Sequence, residues 1–153
     1  MIERTFSAQR LNEVLNHPDV FRWVAAPGID RLDFTVIASD PRNVVLMTDQ
    51  GGFVFVPRGN QVYEVHTQFL PSGARIALKA AKHAAAFMFS HTDCTVISTY
   101  VPVGNERARR LTLAMGFTPL GLSGTWIYPS GEQAELEWFE LTKGNWLCQQ
   151  QQS

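Results

Sequence analysis

Hydrophobic and polar residues alternate most clearly in the middle of the chain, between residues 62 and 117. The segment Val62–Phe69 alternates with a period of two, which predicts a β-strand. One face of this strand would be mostly apolar. The other face would carry Glu64, His66 and Gln68 in a row. A strand with polar side chains filed along one face indicates that this face borders a cleft.

The segment after this strand predicts a helix whose N-terminus lies at a ligand site. Pro71 would end the strand, Ser72 can cap a helix, and Gly73 would let backbone amides approach a ligand closely. An Ala-rich stretch from Ala74 to about Ser90 then has the composition of a helix that packs closely on a sheet. Because a helix N-terminus presents unpaired N–H groups and the positive end of the helix dipole, it stabilises anions such as phosphates.

A second strand and a second helix complete the central stretch. The apolar run Cys94–Val101 predicts the strand, and the order strand, helix, strand favours a parallel crossover. The next helix is predicted to begin at Asn105 and to end at Gly116, where a left-handed residue would stop it.

The remaining segments predict an α/β domain with a mixed, mostly antiparallel sheet, flanked by helices, around that central parallel strand pair. Two short helices are expected before Pro27. The other predicted strands are Leu32–Ala38, Val44–Met47, Phe53–Val56, Phe117–Gly121, Trp126–Tyr128 and Glu135–Leu141. Residues 1–148 are thus predicted to be a single domain, and residues 149–153 a disordered polar tail.

Composition excludes several classes of partner. The net charge of −1 on 153 residues leaves no basic surface for nucleic acid or for an anionic membrane. No apolar run reaches the roughly 18 residues of a membrane span, and no signal-peptide core is present, so a cytoplasmic protein is expected. The two cysteines fit no zinc spacing or disulfide framework, and no histidine is spaced with carboxylates or cysteines as metal ligands are.

A helical motif near residue 105 carries a family resemblance. The residues from Asn105 to Leu111 read NERARRL, and Gly116 and Phe117 follow. This pattern resembles the Asn-x-x-Ala-x-x-Leu segment, ending in Gly-Phe, of the GNAT N-acetyltransferases. The resemblance covers Val62 to Gly121. Some short stretches within it are similar to GNAT-like proteins encoded by phages and prophages. It implies a GNAT-like fold with acetyl-CoA as co-substrate and a small-molecule or peptide amine as acceptor; a homodimer is left open.

The resemblance also implies a set of coenzyme-binding residues: Phe69, Leu70, Ser72, Gly73, Ala74, Arg75, Ile76, Ala77, Asn105 and Arg109. The family's phosphate loop reads Arg or Gln, two residues, Gly, one residue, then Gly or Ala. In this chain Arg75 takes the first small position and Ala77 the second, and Arg75 would either add charge beside a phosphate or obstruct the loop. Asn105 would cap its helix or contact the coenzyme.

Three residues are candidates for proton transfer. His66 and Glu64 could act as the base that deprotonates the amine, and His66 is favoured because an imidazole ordinarily titrates at about 6.5. Tyr100 is a candidate proton donor. The family often has a tyrosine general acid seven residues after the motif Asn, where this chain has Thr112, a far weaker acid. Since Arg75 and Thr112 both depart from the family pattern, a non-catalytic GNAT-like binding or structural module is the alternative function.

Overall fold

A seven-stranded sheet runs through the computed structural model, which describes residues 2–152. The strands are β1 (Glu3–Thr5), β2 (Val44–Thr48), β3 (Gly51–Pro57), β4 (Val62–Phe69), β5 (Val96–Pro102), β6 (Thr118–Ile127) and β7 (Gln133–Thr142). The helices are α1 (Gln9–Leu15), α2 (Pro18–Val24), α3 (Thr35–Ser39), α4 (Ala74–His91), α5 (Glu106–Ala114) and α6 (Lys143–Gln152). The strand order is β1-β2-β3-β4-β5-β7-β6, and β4 and β5 form the parallel pair in an otherwise antiparallel sheet. The predicted mixed sheet with a central parallel pair is confirmed.

The parallel strands β4 and β5 separate along their length. They are paired only at their beginnings, where Val62–Glu64 lies opposite Val96–Ser98. Beyond this point β4 continues to Phe69 and β5 to Pro102 without ladder pairing to each other. The Thr99 hydroxyl donates a hydrogen bond of 3.0 Å across the widening gap to the Val65 carbonyl oxygen. The separation opens the sheet in its middle.

Two hydrophobic cores lie on opposite faces of the sheet. On one face the small residues of α4, such as Ala84, pack against Phe55 and Ile97, and α5 and α6 pack beside α4. On the other face α1 presents residues such as Leu15 to Val54 and its neighbours on β2 and β3. No buried residue of β5, β6 or β7 belongs to this second core among residues 2–152. On that face α1 therefore packs on the half of the sheet that contains β2 and β3, and the other half contributes no buried residue to this core.

The predicted strand Leu32–Ala38 is wrong. Its second half forms the short helix α3, and its first half is a loop whose backbone is held by Asn12 of α1 and by Asn16, which follows α1. Asn16 bonds both backbone groups of Leu32, and Asn12 accepts from the Phe34 amide at 2.8 Å. Because these amide side chains satisfy the backbone, the segment needs no partner strand. The third strand before the central stretch is instead β1, which pairs with β2.

The chain after α5 also differs from the prediction. The two strands expected at 117–121 and 126–128 form one strand, β6, whose register shifts at two places to absorb the extra residues. Gly121 and Gly124 have positive φ angles of 109° and 89° at these irregularities.

Residues 149–152, predicted as part of a disordered tail, are the end of helix α6; Ser153 lies outside the described residues. The Trp146 ring of this helix lies 5.4 Å from the Phe89 ring. The Gln149 side chain lies so close to Gly116 that a Cβ at that glycine would be 2.1 Å from it. The polar sequence of this segment predicts no ordered structure, but packing against α4 and α5 orders it. No helix among residues 2–152 is long and apolar enough to cross a membrane.

Candidate active site

The buried carboxylate of Glu64 lies on the polar face of β4, where the sheet opens. It has two partners, an imidazole and a guanidinium. The Glu64 side chain is only 9% exposed, and its Oε2 atom lies 2.8 Å from His66 Nε2. The same oxygen accepts a hydrogen bond of 2.9 Å from the Arg58 guanidinium. Arg58 lies between β3 and β4, so the strand and the turn before it together build the group. The alternation of β4 predicts Glu64 and His66 as site residues but gives no signal for Arg58, because nothing in the local pattern links a turn arginine to a strand residue six positions later.

The turn that supplies Arg58 has an unusual backbone. Gly59, Asn60 and Gln61 have successive positive φ angles of 87°, 54° and 63°. Gly and Asn tolerate this region, but a Gln there costs about 1–2 kcal/mol. The turn is closed by a 2.8 Å hydrogen bond from the Arg58 amide to the Val62 carbonyl, and the Gln61 carbonyl accepts from the Thr95 amide at 2.9 Å. The turn is therefore held to both strands of the parallel pair.

The electrostatics separate the roles of Glu64 and His66. The hydrogen bond from His66 lowers the pKa of Glu64 to about 2, with Arg58 helping and burial opposing the shift. Glu64 is therefore ionised at neutral pH, and a carboxylate can only accept hydrogen bonds. His66 Nε2 must then carry the shared hydrogen, which leaves the lone pair of a neutral imidazole on Nδ1. The arrangement suits His66 to accept a proton and Glu64 to orient it.

Tyr100 stands beside His66 on the neighbouring strand. The two rings are 5.6 Å apart and nearly perpendicular. Burial, followed by the negative charge of Glu64, raises the pKa of Tyr100, so its hydroxyl keeps its proton at neutral pH. The structure thus brings together all three residues predicted for proton transfer: Glu64, His66 and Tyr100.

Two tryptophans extend this cluster across the sheet. Trp138 of β7 and Trp126 of β6 lie 5.1 Å and 6.4 Å from the Tyr100 ring. We call Tyr100, Trp126 and Trp138 the aromatic wall. The Trp138 indole donates to the Ser123 carbonyl at 2.8 Å, whereas the buried Trp126 Nε1 has no hydrogen-bond partner among residues 2–152. All three rings are partly exposed, so they border solvent on the face that α4 does not cover.

A narrow cavity lies on the opposite face, between the separated strands and helices α4 and α5. Its volume is about 40 Å³, and its walls include Val65 and the hydroxyl-bearing residues Thr67, Thr99 and Thr112. The Thr112 hydroxyl donates to the Ala108 carbonyl of its own helix at 2.8 Å. Thr112 therefore lies in the cleft, with its proton engaged by the backbone.

The turn before α4 is built differently from its predicted role. Ser72 does not cap the helix; its hydroxyl hydrogen-bonds the Gln50 side chain. Gly73 is buried, and a Cβ there would lie 2.7 Å from the Gln50 Cβ and 2.9 Å from the Phe69 ring. The Leu70 amide donates to the Gln50 carbonyl at 2.9 Å. The glycine is thus required for packing against the β2–β3 hairpin, and this packing holds the helix start in place.

The first turn of α4 remains open to a ligand. Ala74, Arg75 and Ile76 are exposed, and Ala77 behind them is buried. The amides of Arg75 and Ile76 belong to the first helical turn, whose N–H groups have no partner within an α-helix. Arg75 makes no ion pair with any residue between 2 and 152. This end of the helix can hold an anion, with Arg75 adding charge.

The two predicted coenzyme residues of the second helix have partners within the protein. The Asn105 side chain accepts a hydrogen bond from the Ala108 amide at 3.3 Å, so it caps α5. Arg109 forms a bidentate ion pair with Glu137 of β7, at 2.8 Å and 3.4 Å. Both residues therefore fasten α5 in this structure.

Solved structures of acetyltransferases have the same fold. A spermidine N-acetyltransferase from Vibrio cholerae, in complex with CoA and spermine, has a TM-score of 0.79 at 13% identity, over 96% of this chain and 97% of that one. A probable acetyltransferase has a TM-score of 0.71 at 20% identity, over 95% and 94% of the two chains. A dodecameric structure of the Vibrio cholerae spermidine enzyme has a TM-score of 0.63 at 16% identity, over 74% and 72%.

No protein-family model and no curated protein matches the chain. The structural comparisons confirm the predicted GNAT-like fold. At these identities they show the fold alone, and the chemistry is argued from the residues of the site.

Proposed function

We propose that this protein transfers the acetyl group of acetyl-CoA to an amine. The observation that carries the proposal is the opening between β4 and β5, which has a narrow cleft on one face and the Glu64–His66 pair on the other. An acetyl donor and an amine acceptor would meet there from opposite faces of the sheet. The acetyltransferase structures with this fold support the proposal.

The residues of the cleft face fit the parts of acetyl-CoA. The coenzyme would supply the activated acetyl thioester. The amides of Arg75 and Ile76 at the start of α4 would hold its pyrophosphate, and the Arg75 guanidinium would add positive charge. The narrow cavity lined by Thr67 and Thr99 would take the thin arm of the molecule.

On the other face His66 would act as the base. Nδ1 of the imidazole accepts the amine proton while the amine nitrogen forms its new bond to the acetyl carbon and the carbon–sulfur bond breaks. Glu64 holds the imidazole through Nε2 and stabilises the imidazolium that results, as a carboxylate does in other histidine pairs. Arg58 keeps Glu64 ionised and in place. The leaving group is a thiolate.

The thiolate needs no strong acid. An ordinary thiol has a pKa of about 8.5, so a thiolate can leave near neutral pH without full protonation. Thr112 is not suited to protonate it, because its hydroxyl is a very weak acid and is bonded to Ala108. Tyr100, which is protonated at neutral pH and lies beside His66, is the candidate donor.

Calorimetry with acetyl-CoA tests the proposal. Binding with a dissociation constant below 1 mM, or about −4 kcal/mol, is expected for the wild-type chain. Arg75→Ala should weaken binding roughly fivefold, and less so at high salt, because it removes an unpaired charge beside the phosphates. Arg107→Ala is the matched control, since Arg107 is an exposed arginine of α5 and should leave affinity unchanged. No detectable binding at millimolar coenzyme would overturn acetyl transfer and favour the non-catalytic module.

A further inference from the structure

One oxygen atom of the Glu64 carboxylate is shared by two partners. Oε2 lies 2.8 Å from His66 Nε2 and 2.9 Å from the guanidinium of Arg58. The positive charge of Arg58 therefore lies within about 6 Å of the imidazole, with a buried carboxylate between them. A change in the charge of Arg58 is felt by His66 both directly and through the shared oxygen.

Glu64 and Arg58 act on the imidazole with opposite signs. A carboxylate in contact with an imidazole favours the protonated form of the ring, and a nearby guanidinium disfavours it. A histidine paired with a buried carboxylate alone would be held as an imidazolium, which has no lone pair to accept a proton from an amine. The guanidinium offsets this attraction while Glu64 still orients the ring.

The charge of Arg58 also acts on the neighbour of His66 on β5. Burial, and then the charge of Glu64, raise the pKa of Tyr100, and the charge of Arg58 opposes them. The Tyr100 ring is 5.6 Å from the His66 ring. The electrostatic effect of Arg58 thus extends beyond Glu64 to the surroundings of the imidazole.

The other charged groups on this face lie outside the network of His66. The residue opposite His66 on β3 is Val54, which carries no charge. Glu140 lies in the row of Glu64 but on β7, two strands away. The charged side chains of helices α1 and α2, all exposed, are Arg10, Glu13, Asp19 and Arg22. Within residues 2–152, Glu64 and Arg58 are thus the charged groups of this network.

The turn between β3 and β4 fixes the place of Arg58. The Arg58 amide donates to the Val62 carbonyl at 2.8 Å, and the three residues after Arg58 have positive φ angles. This hydrogen bond belongs to the main chain, so it is retained when the side chain is replaced. The Arg58 side chain is 51% exposed, so its replacement leaves no buried cavity. The guanidinium can therefore be removed without removing the turn.

Building on the proposed acetyl transfer, we propose that Arg58 is a positioning residue that acts on the base. Its guanidinium shares Glu64 with His66 and keeps the imidazole unprotonated near neutral pH, so that Nδ1 is free to accept the amine proton. Glu64 alone would orient the ring but would also hold it protonated. The two opposite charges together orient the base and keep it available.

Titration of His66 by NMR tests this inference without any reaction. The chain has four histidines, and the His66 ring signal is the one missing from the spectrum of His66→Ala. The midpoint of its titration should move up by about half a pH unit or more in Arg58→Met, because a nearby positive charge is lost and solvent screens part of its effect. Arg58→Lys keeps the charge and should stay near the wild-type midpoint.

Arg42→Met is the matched control for the lost charge. It removes an arginine from an exposed pair with Asp40, ahead of β2, which β3 separates from β4. The His66 midpoint should not move in this variant. An unmoved midpoint in Arg58→Met would overturn the inference, and so would an equal shift in Arg42→Met or in Arg58→Lys.

Kinetics separate this inference from acetyl transfer itself. With acetyl-CoA and phenethylamine as substrates, the acid limb of kcat/KM against pH should move up in Arg58→Met by the same amount as the NMR midpoint. Below the midpoint kcat/KM should be about threefold lower than in the wild type, and above it the two should converge. A uniform loss at every pH would indicate a structural role and overturn the inference. If the amine is not acetylated but the midpoint still moves, acetyl transfer fails and the effect of Arg58 on His66 stands.

Discussion

The two faces of strand β4 differ in how their polar groups are satisfied. In the cleft on the face toward α4, the Thr99 hydroxyl bonds the Val65 carbonyl and the Thr112 hydroxyl bonds the Ala108 carbonyl, so the cleft is mostly apolar. On the opposite face the ionised Glu64 carboxylate is hydrogen-bonded to both His66 and Arg58, which makes one connected polar network. If the protein transfers acetyl groups as proposed, one strand would serve both substrates, because its period of two places the cleft on one face and the Glu64–His66 pair on the other.

Acid titration of stability is the strongest test of the ionised network. The folded pKa of Glu64, about 2, lies below the ordinary 4.5, so its contribution is complete above 4.5 and is lost as pH falls toward 2. The loss is at most about 3 kcal/mol. Glu64→Gln should lack this part of the pH dependence in urea unfolding between pH 6 and pH 2.

Asp40 is the matched control for this titration. Its pKa is also lowered to about 2, by hydrogen bonds from Arg42, but the Arg42 side chain is 81% exposed and the pair is screened by solvent. Asp40→Asn should change the acid dependence less than Glu64→Gln. An equal effect of the two substitutions would contradict the distinction between a buried network and a surface pair.

Removal of the base should have the next largest effect. His66→Ala is expected to lower kcat for acetyl transfer by roughly 10²-fold or more while the coenzyme dissociation constant stays unchanged, because the base acts on the face opposite the cleft. Steady-state kinetics and calorimetry measure the two quantities. His83→Ala, on the exposed side of α4, should behave as wild type. Unchanged turnover in His66→Ala would show that the amine loses its proton by another route.

A substitution in the cleft should change coenzyme affinity, and this change should be smaller than the loss of kcat in His66→Ala. Thr112→Tyr places a ring in a cavity of about 40 Å³, so coenzyme affinity should fall about tenfold. Thr112→Val keeps the shape and should bind the coenzyme nearly as wild type does. A faster reaction in Thr112→Tyr would mean that position 112 faces the sulfur and that the added phenol serves as its acid.

Much of the scaffold of the site could be predicted because it follows from local rules. Alternation defined the bounds of β4 and put Glu64, His66 and Gln68 on one face. The prediction of a cap at Asn105 is confirmed, as is the left-handed stop at Gly116, with φ of 88°. These features depend on a few neighbouring residues and on backbone geometry, so the order of the residues is enough to reveal them.

The sequence by itself determined which side chains β4 presents to each face and where α5 begins and ends, because period and capping act over a few residues. The tertiary structure alone decided that Arg58 reaches Glu64, that Gly73 packs on Gln50, and that α6 is ordered by contacts with α4. Each of these depends on strand register or on packing between distant segments. Local propensity is overridden there by the need to bury apolar surface and to satisfy buried polar groups.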